Sequence, residues 1–409
     1  MKWVFCGVFL LFFSLCYPLF GVVDLGVDVL FSEGYAGALK GKRVGLISNH
    51  TGVDKSLCPT AEVLLREGVK LVALFSPEHG WRGSCYAFEK SPGGKEGALP
   101  LFSLYGATRR PNDQMLQGID LLIYDIQDIG VRSYTYATTL FYVMEEAARR
   151  GIAVMVLDRP NPISGQVVDG GMIEEKWRSF IGYVNVPYCH GMTIGELAIF
   201  FNEEYRVGCD LNVIPMKGWR RAMTFKDTGL AWVPTSPHIP EADTPLFYAS
   251  TGILGELGIV SIGVGYTLPF KVVGAPWINA EEFAKKLNSY HLGGVHFFPF
   301  HYRPFYGLYK NEECHGVLIR VTDIHQYRPS NVRCFLMGTL KSLYPKRIKK
   351  LLESVGSAKR RLFCFANGNE EIFKLMLHEG YATWKMIACQ GGLCEQFKKK
   401  RERFLLYPP

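Results

Sequence analysis

The chain has 409 residues, 48% of them hydrophobic, and a formal net charge of +8. That length and apolar content suffice for two domains and a sizeable core. Much of the positive charge lies late, in Lys346, Arg347, Lys349, Lys350, Lys359, Arg360 and Arg361 and again from Lys398 to Arg403; no stacking aromatic module or helix-turn-helix signature accompanies it, so these runs read as solvated helix faces and no nucleic-acid partner is expected.

At the amino terminus Lys2 precedes an apolar run from Trp3 to Leu15, and Pro18 and Gly21 break it. One positive residue, a short apolar core and a breaker make a secretory signal over residues 1–21. The run is too short for an ordinary membrane span. The expectation is an exported protein, periplasmic or envelope-associated, with no stable membrane span after cleavage. Two of the 11 cysteines fall in the signal, which leaves nine. At least one mature thiol therefore lacks a partner within the chain. Cys389 and Cys394 are near enough in sequence to pair, and no zinc spacing occurs.

Residues 43–48 form the first predicted strand, ending in the polar loop Asn49-His50-Thr51-Gly52. Thr60 is placed to cap a helix that runs through Arg66, and Gly68 closes it. The apolar run 71–75 is a second buried strand. Pro77 stops it, because proline cannot donate to a ladder, and so delivers Ser76-Pro77-Glu78-His79-Gly80-Trp81-Arg82-Gly83 past the strand's carboxyl end. Residues 84–100 read as irregular, and order resumes over 100–106. A third strand, 118–124, ends in Asp125-Ile126-Gln127-Asp128-Ile129-Gly130-Val131-Arg132, with Tyr134 and Tyr136 beyond. A helix is expected from about 138 to 150. The fourth strand, 152–157, ends in Asp158-Arg159-Pro160-Asn161-Pro162.

Short apolar strands alternating with helices argue for an α/β fold with a parallel sheet and right-handed crossovers. No Gly-x-Gly-x-x-Gly follows the first strand and no P-loop sequence occurs, so nucleotide chemistry is not implied. All four strand ends carry polar residues, namely Asn49, Glu78 with His79, Asp125 with Asp128, and Asp158 with Asn161. On one rim of one sheet they would build a polar cleft, where ligands of open α/β sheets bind. After Gly170 the pattern changes. A helix opens at Thr193, a strand spans 210–216, and 232–240 is a proline-spaced loop carrying His238. Residues 252–274 are glycine-rich and apolar. A helix at 280–289, strands at 295–300 and 315–321, a helix at 328–343 and a basic helical end follow.

In order, Ser48-Asn49-His50-Thr51-Gly52, Pro77-Glu78-His79-Gly80-x-Arg82-Gly83, Asp125-Ile126-Gln127-Asp128-Ile129-Gly130-x-Arg132, Asp158-Arg159-Pro160-Asn161-Pro162, Pro234-Thr235-Ser236-Pro237, Gly274-Ala275-Pro276-Trp277 and Arg403-Phe404-Leu405-Leu406-Tyr407 resemble the exo-β-N-acetylmuramidase family of bacterial glycoside hydrolases. The likeness runs from about residue 26 to 407. It implies a Rossmann-like catalytic domain over 22–172, an ancillary α+β domain over 173–409 and a cleft between them. It also implies release of N-acetylmuramic acid from the non-reducing end of peptidoglycan fragments, muropeptides or disaccharides, with no cofactor and no metal. The chain departs from the family where Glu-Gly-Thr-Asn and Ser-Glu-Gly-Arg-Gly are frequent. It reads Gly255-Glu256-Leu257-Gly258 and Ser261-Ile262-Gly263-Val264-Gly265 there, and His238 stands where Asn is common.

Glycoside hydrolysis needs a protonated carboxyl for the leaving oxygen and a second carboxylate to activate water or attack the sugar. Glu78 suits the acid role, with Trp81 and Pro77 beside it to desolvate it and His79 to orient it. Asp125, Asp128 and Glu256 compete for the second role, and the substrate's own 2-acetamido group is a third possibility. Arg82 or Arg132 would clamp the lactyl carboxylate. Trp81, Tyr134 and Tyr136 would cover sugar faces, and Asn49, Asp125, Asp158, Asn161 and His238 complete the expected contacts. Two rival readings are a metallohydrolase built on His79, Asp125, Asp128, Asp158 and His190 or His238, and a muropeptide-binding protein without catalysis.

Overall fold

The computed structural model describes residues 22–409, so the expected signal at 1–21 lies outside the described residues. Ten strands form two sheets. The larger uses β1 (Arg43–Ser48), β2 (Lys70–Ser76), β3 (Gly94–Glu96), β4 (Leu99–Ser103), β5 (Leu121–Asp125), β6 (Ala153–Leu157) and β7 (Leu211–Ile214). Their order is β3-β4-β2-β1-β5-β6-β7. Every neighbouring pair is parallel except β3 with β4. The chain leaves β1 toward β2 and β4 on one side and returns to β5 on the other, so the strand order reverses between β1 and β5.

Why these runs are strands is visible in their burial. In β5, Leu121 and Ile123 enter one core and Leu122 and Tyr124 the other. In β6, Met155 and Leu157 oppose Val154 and Val156 in the same way. A strand covered on both faces has no polar side, which explains the continuous apolar runs. Helix α1 (Gly26–Ser32) precedes β1, and α2 (Thr60–Arg66), α3 (Asp113–Leu116), α4 (Thr135–Ala148) and α5 (Ile194–Glu204) lie between strands. Helix α5 carries the expected cap: Thr193 accepts from the Glu196 amide, and the Glu196 carboxylate reaches back to the Thr193 amide.

The remainder comprises α6 (Thr244–Glu256), strand β8 (Val272–Ala275), α7 (Ala280–Asn288), the hairpin partners β9 (Val295–Tyr302) and β10 (Cys314–Val321), and helices α8 (Pro329–Leu343), α9 (Pro345–Ser354), α10 (Ser357–Asn367), α11 (Glu371–His378), α12 (Ala382–Gln390) and α13 (Leu393–Arg401). The three strands form an antiparallel sheet in the order β8-β10-β9. One apolar core runs from Tyr124 and Leu140 through Leu254 and Phe283 to Met337 and Phe363, so the two halves share their interior.

Several expectations change. The large sheet takes β7 from beyond residue 172. Gly118 has φ 75° and turns the chain, so β5 starts only at Leu121. Pro59 rather than Thr60 is the cap of α2, because the Thr60 hydroxyl is committed to Asp125. Gly252 and Gly255 lie inside α6, and a side chain at Gly255 would meet Ile262 at 2.3 Å. The small residue admits the following loop against the helix. All nine described cysteines are free, Cys389 and Cys394 included.

One turn at the end of β5 fixes the rim. Gly130 donates its amide to Asp128 Oδ1 at 2.8 Å and has φ 82°. A Cβ there would stand 2.2 Å from Asn161 Oδ1. Asp128 Oδ2 is buried and has no hydrogen-bond partner. Burial pushes its carboxyl up to about 7. Because the folded pKa is raised, its contribution to stability is full at acid pH and is lost as pH rises through about 7. Two outcomes follow. Gly130→Ala destabilises by about 2 kcal/mol or more, from the left-handed φ and the clash, as denaturant titration checks. In thermal melts between pH 5 and pH 8, the fall in Tm is smaller for Asp128→Asn than for the native chain.

Candidate active site

A cavity of about 570 Å³ opens beside the rim. Several parts of the chain wall it. The loop after β2 supplies Glu78, His79 and Phe88, the start of α4 supplies Tyr134 and Thr135, and α6 supplies Tyr248 and Glu256. Tyr105 and Arg109 reach it from the loop after β4, Ser236 and His238 from the proline-spaced loop, and Lys359 from α10. The rest of the lining is largely apolar, with Phe180, Ile181, Ile262, Val264, Phe270 and Phe365.

Glu78 is buried. Its Oε2 accepts from the Thr135 hydroxyl at 2.7 Å, and its Oε1 from the Phe88 amide at 3.4 Å. The Tyr105 hydroxyl lies against the same carboxylate, and burial together with that charge raises the phenol well above its ordinary range. Glu256 ends α6 and is half-buried. Desolvation, with the charge of Glu78 added, pushes its carboxyl up to about 7. The cavity thus brings together two carboxyls of unlike environment, one held by donors and one desolvated.

His79 has φ 69° and leads into Gly80 at φ 79°. This tight turn keeps both Glu78 and His79 in the wall. The ring's Nδ1 lies 2.8 Å from the Cys85 carbonyl, which only accepts. Nδ1 therefore carries a proton, and Nε2 is the ring nitrogen left facing away from that bond. The His79 ring meets Tyr136 edge-on at 6.3 Å. His238 bonds the Tyr306 hydroxyl through Nε2 and stacks on Tyr86 at 5.7 Å. Burial lowers its pKa, and His79 lowers it further.

Of the expected site residues, Glu78, His79, Glu256, His238 and Tyr134 line the cavity. The others do not, and each has partners within the protein. Asp125 accepts from Nε and Nη2 along one edge of the Arg159 guanidinium, at 2.5 and 2.8 Å. Asp158 accepts from the hydroxyls of Thr193 and Tyr407, at 2.7 and 2.5 Å, and from the Gly195 amide at 2.8 Å. Asn49 closes its own turn by accepting from the Thr51 amide and hydroxyl. Asn161 Oδ1 accepts from the Ile163 amide while its Nδ2 donates to the Met192 carbonyl. Tyr136 donates to the Thr235 carbonyl at 2.6 Å. Asp128 lies in the turn described above.

The two arginines expected as carboxylate clamps lie outside this cavity. Arg132 is buried and donates to the carbonyls of Gly171, Val186, Ala366 and Asn367. Arg82 is a surface side chain paired with Glu96 at 3.0 Å. The cations that do line the cavity are Arg109 and Lys359. Arg109 lies over the rings of Phe180 and Tyr105, at 4.3 and 5.6 Å. Tyr105 and Arg109 follow a strand end on the same rim as Glu78, so the strand-end rule applied to β4 would have found them. Lys359 comes from a helix remote in sequence, and no local signal marks it. No group of three or more His, Cys, Asp or Glu side chains able to hold a metal occurs among the described residues. The ligand set of the metallohydrolase reading is not assembled, since Asp125 and Asp158 are committed elsewhere.

Comparison with known proteins agrees with this architecture. A solved DUF1343 family protein from Bacteroides fragilis NCTC 9343 superposes with TM-score 0.88 at 41% identity, covering 94% of this chain and 99% of its own. A second from that organism gives TM-score 0.72 at 28% identity, covering 95% and 99%. The peptidoglycan β-N-acetylmuramidase NamZ of Bacillus subtilis (strain 168) is 39% identical over 388 residues, 94% of this chain and 91% of that protein. Family models described as exo-β-N-acetylmuramidase NamZ, N-terminal and C-terminal, match residues 44–243 and 246–407. With both models matched in sequence order across nearly the whole described chain, this protein belongs to the exo-β-N-acetylmuramidase NamZ family.

Proposed function

We propose that the protein is an exo-acting glycosidase that hydrolyses the β-linkage of a terminal N-acetylmuramic acid at the non-reducing end of peptidoglycan fragments. The observation that carries the reading is the pairing of Glu78 with Glu256 in one apolar-walled cavity of a member of this family. Near neutral pH the Glu256 carboxyl is half protonated, being pushed up to about 7. Two titratable groups whose surroundings differ in this way divide the acid and base roles between them. We assign the proton for the leaving oxygen to Glu256. Glu78, fixed by Thr135 and Phe88, is the carboxylate that supports the positive charge developing at the anomeric carbon. This reverses the role expected for Glu78 from its neighbours in sequence. Trp81, expected to desolvate it, packs with the residues on the far face of the sheet and not in the cavity.

A muramic acid carries a lactyl carboxylate that a cavity with two acids would repel unless cations balanced it. Arg109 and Lys359 supply that balance and take over the role expected of Arg82 and Arg132. The large apolar share of the lining suits the carbon face of a pyranose and its acetamido methyl group. The activity is placed in the cell envelope, on the strength of the Lys2 and apolar-run pattern at the amino terminus; peptidoglycan is found there. Among the described residues no helix is long and apolar enough to cross a membrane.

Incubation with a muramyl-β-1,4-glucosamine disaccharide tests the reading: free muramic acid and glucosamine are the expected products, and binding without turnover would leave a binding protein instead. The roles separate on a muramyl β-fluoride, whose leaving group needs no proton. Glu256→Gln loses about 10²–10⁴-fold on the disaccharide, the usual worth of acid assistance, and keeps most of its fluoride hydrolysis. Glu78→Gln loses both. In the native protein kcat/KM for the disaccharide declines as pH rises through about 7, because the acid form of Glu256 is titrated away.

A further inference from the structure

The mouth of the cavity carries an aromatic side chain in an unusual state. Phe88 has φ 70°, a left-handed conformation that a bulky residue adopts only when its surroundings impose it. Phe88 is 69% exposed, yet it lines the cavity. Its own amide donates to Glu78 Oε1. The turn is therefore held at one end by the carboxylate while the ring is delivered to solvent. A core role does not explain an exposed ring, and a simple solvated loop does not need a phenyl group at a strained position.

The surroundings continue the surface. Tyr86, two residues earlier, is 51% exposed and stacks on His238, which also bonds Tyr306. Phe305 is 56% exposed beside Tyr306. The inner end of the same cavity is lined by Tyr134 at 7% exposure and by buried Ser133 and Thr135. Depth thus runs from Tyr134 inward to Phe88 outward. An exo-acting enzyme binds the terminal sugar at the deep end, so the next sugar lies toward the mouth.

We propose that Phe88 is the stacking platform for the second sugar of the substrate, the glucosamine ring released as the leaving group. A β-configured gluco-pyranose presents axial C–H bonds on both faces, and an exposed phenyl ring offers them a flat, electron-rich surface. Because the Phe88 amide is bonded to Glu78, a sugar seated on the ring also holds the turn that carries this carboxylate's donor. The assignment rests on the glycosidase reading above and adds to it a residue that selects for a sugar as the leaving group.

The test compares two substrates and one product. For Phe88→Ala the disaccharide-to-fluoride ratio of kcat/KM falls about five- to tenfold, the size of a lost aromatic stack, with the loss mainly in KM. Inhibition by free N-acetylglucosamine weakens by a similar factor. Phe88→Trp restores both and Phe88→Leu, which fills space without a ring, does not. An unchanged ratio with unchanged inhibition by N-acetylglucosamine overturns the proposal. So does restoration by Leu, or a loss in kcat alone, because either would make Phe88 a structural support for Glu78. Absence of hydrolysis of both substrates by the native protein would instead refute the glycosidase reading itself.

Discussion

The rim of the large sheet depends on one buried ion pair. Asp125 ends β5 with no exposure, and Arg159, just past β6, faces it at 4% exposure. Two parallel hydrogen bonds join them, the Thr60 hydroxyl adds a third to the carboxylate, and the Val53 carbonyl takes one more from the guanidinium. Such a pair offsets its desolvation only when its remaining donors and acceptors are satisfied in this way. It ties the ends of β1, β5 and β6 to the first crossover helix. Removing either partner leaves an uncompensated buried charge at the point where the sheet changes direction.

From that fixed rim the second half of the chain is anchored by polar contacts of the same kind. Asp158 receives Tyr407 from the far end of the chain. Arg401 donates to the His190 and Gly191 carbonyls. Arg132 reaches the carbonyls that end α10, the helix that brings Lys359, Leu362 and Phe365 to the cavity. These side chains act as joints between layers, and the cavity is the space the joints hold open. The chemistry then depends on what the joints leave unpaired. Glu256 and the two cations are such groups, with no carboxylate–cation pair formed between them.

The architecture was legible in the sequence because its strands are short, apolar on both faces and separated by helical segments. The capping box of Thr193 and Glu196 and the stop at Pro77 each had a local cause. The polar strand ends were equally legible, but their meaning was not. Asp125, Asp158, Asn161 and Arg132 carry the same functional groups whether they meet a sugar or a guanidinium. Only their three-dimensional partners decide, and most of those partners lie 31 to 249 residues away. The glycine-rich look of residues 252–274 concealed the end of a helix, because Gly252 and Gly255 are required by packing. Glu256 is a candidate for the second carboxylate only through the family resemblance, because periodicity does not reveal that it shares a cavity with Glu78.

What the cavity does with a substrate is decided by which of its two carboxyls gives the proton to the leaving oxygen. Glu78 is surrounded by donors, whereas Glu256 faces an apolar wall and the charge of Glu78. Infrared difference spectroscopy across pH 5 to 9 reads this directly, comparing the native protein with Glu256→Gln. The account predicts that the native protein shows, beside the band of Asp128, a protonated-carboxyl band that titrates with an apparent pKa of about 7 and is absent from Glu256→Gln. A native band that persists in Glu256→Gln and disappears in Glu78→Gln would contradict it and return the acid role to Glu78.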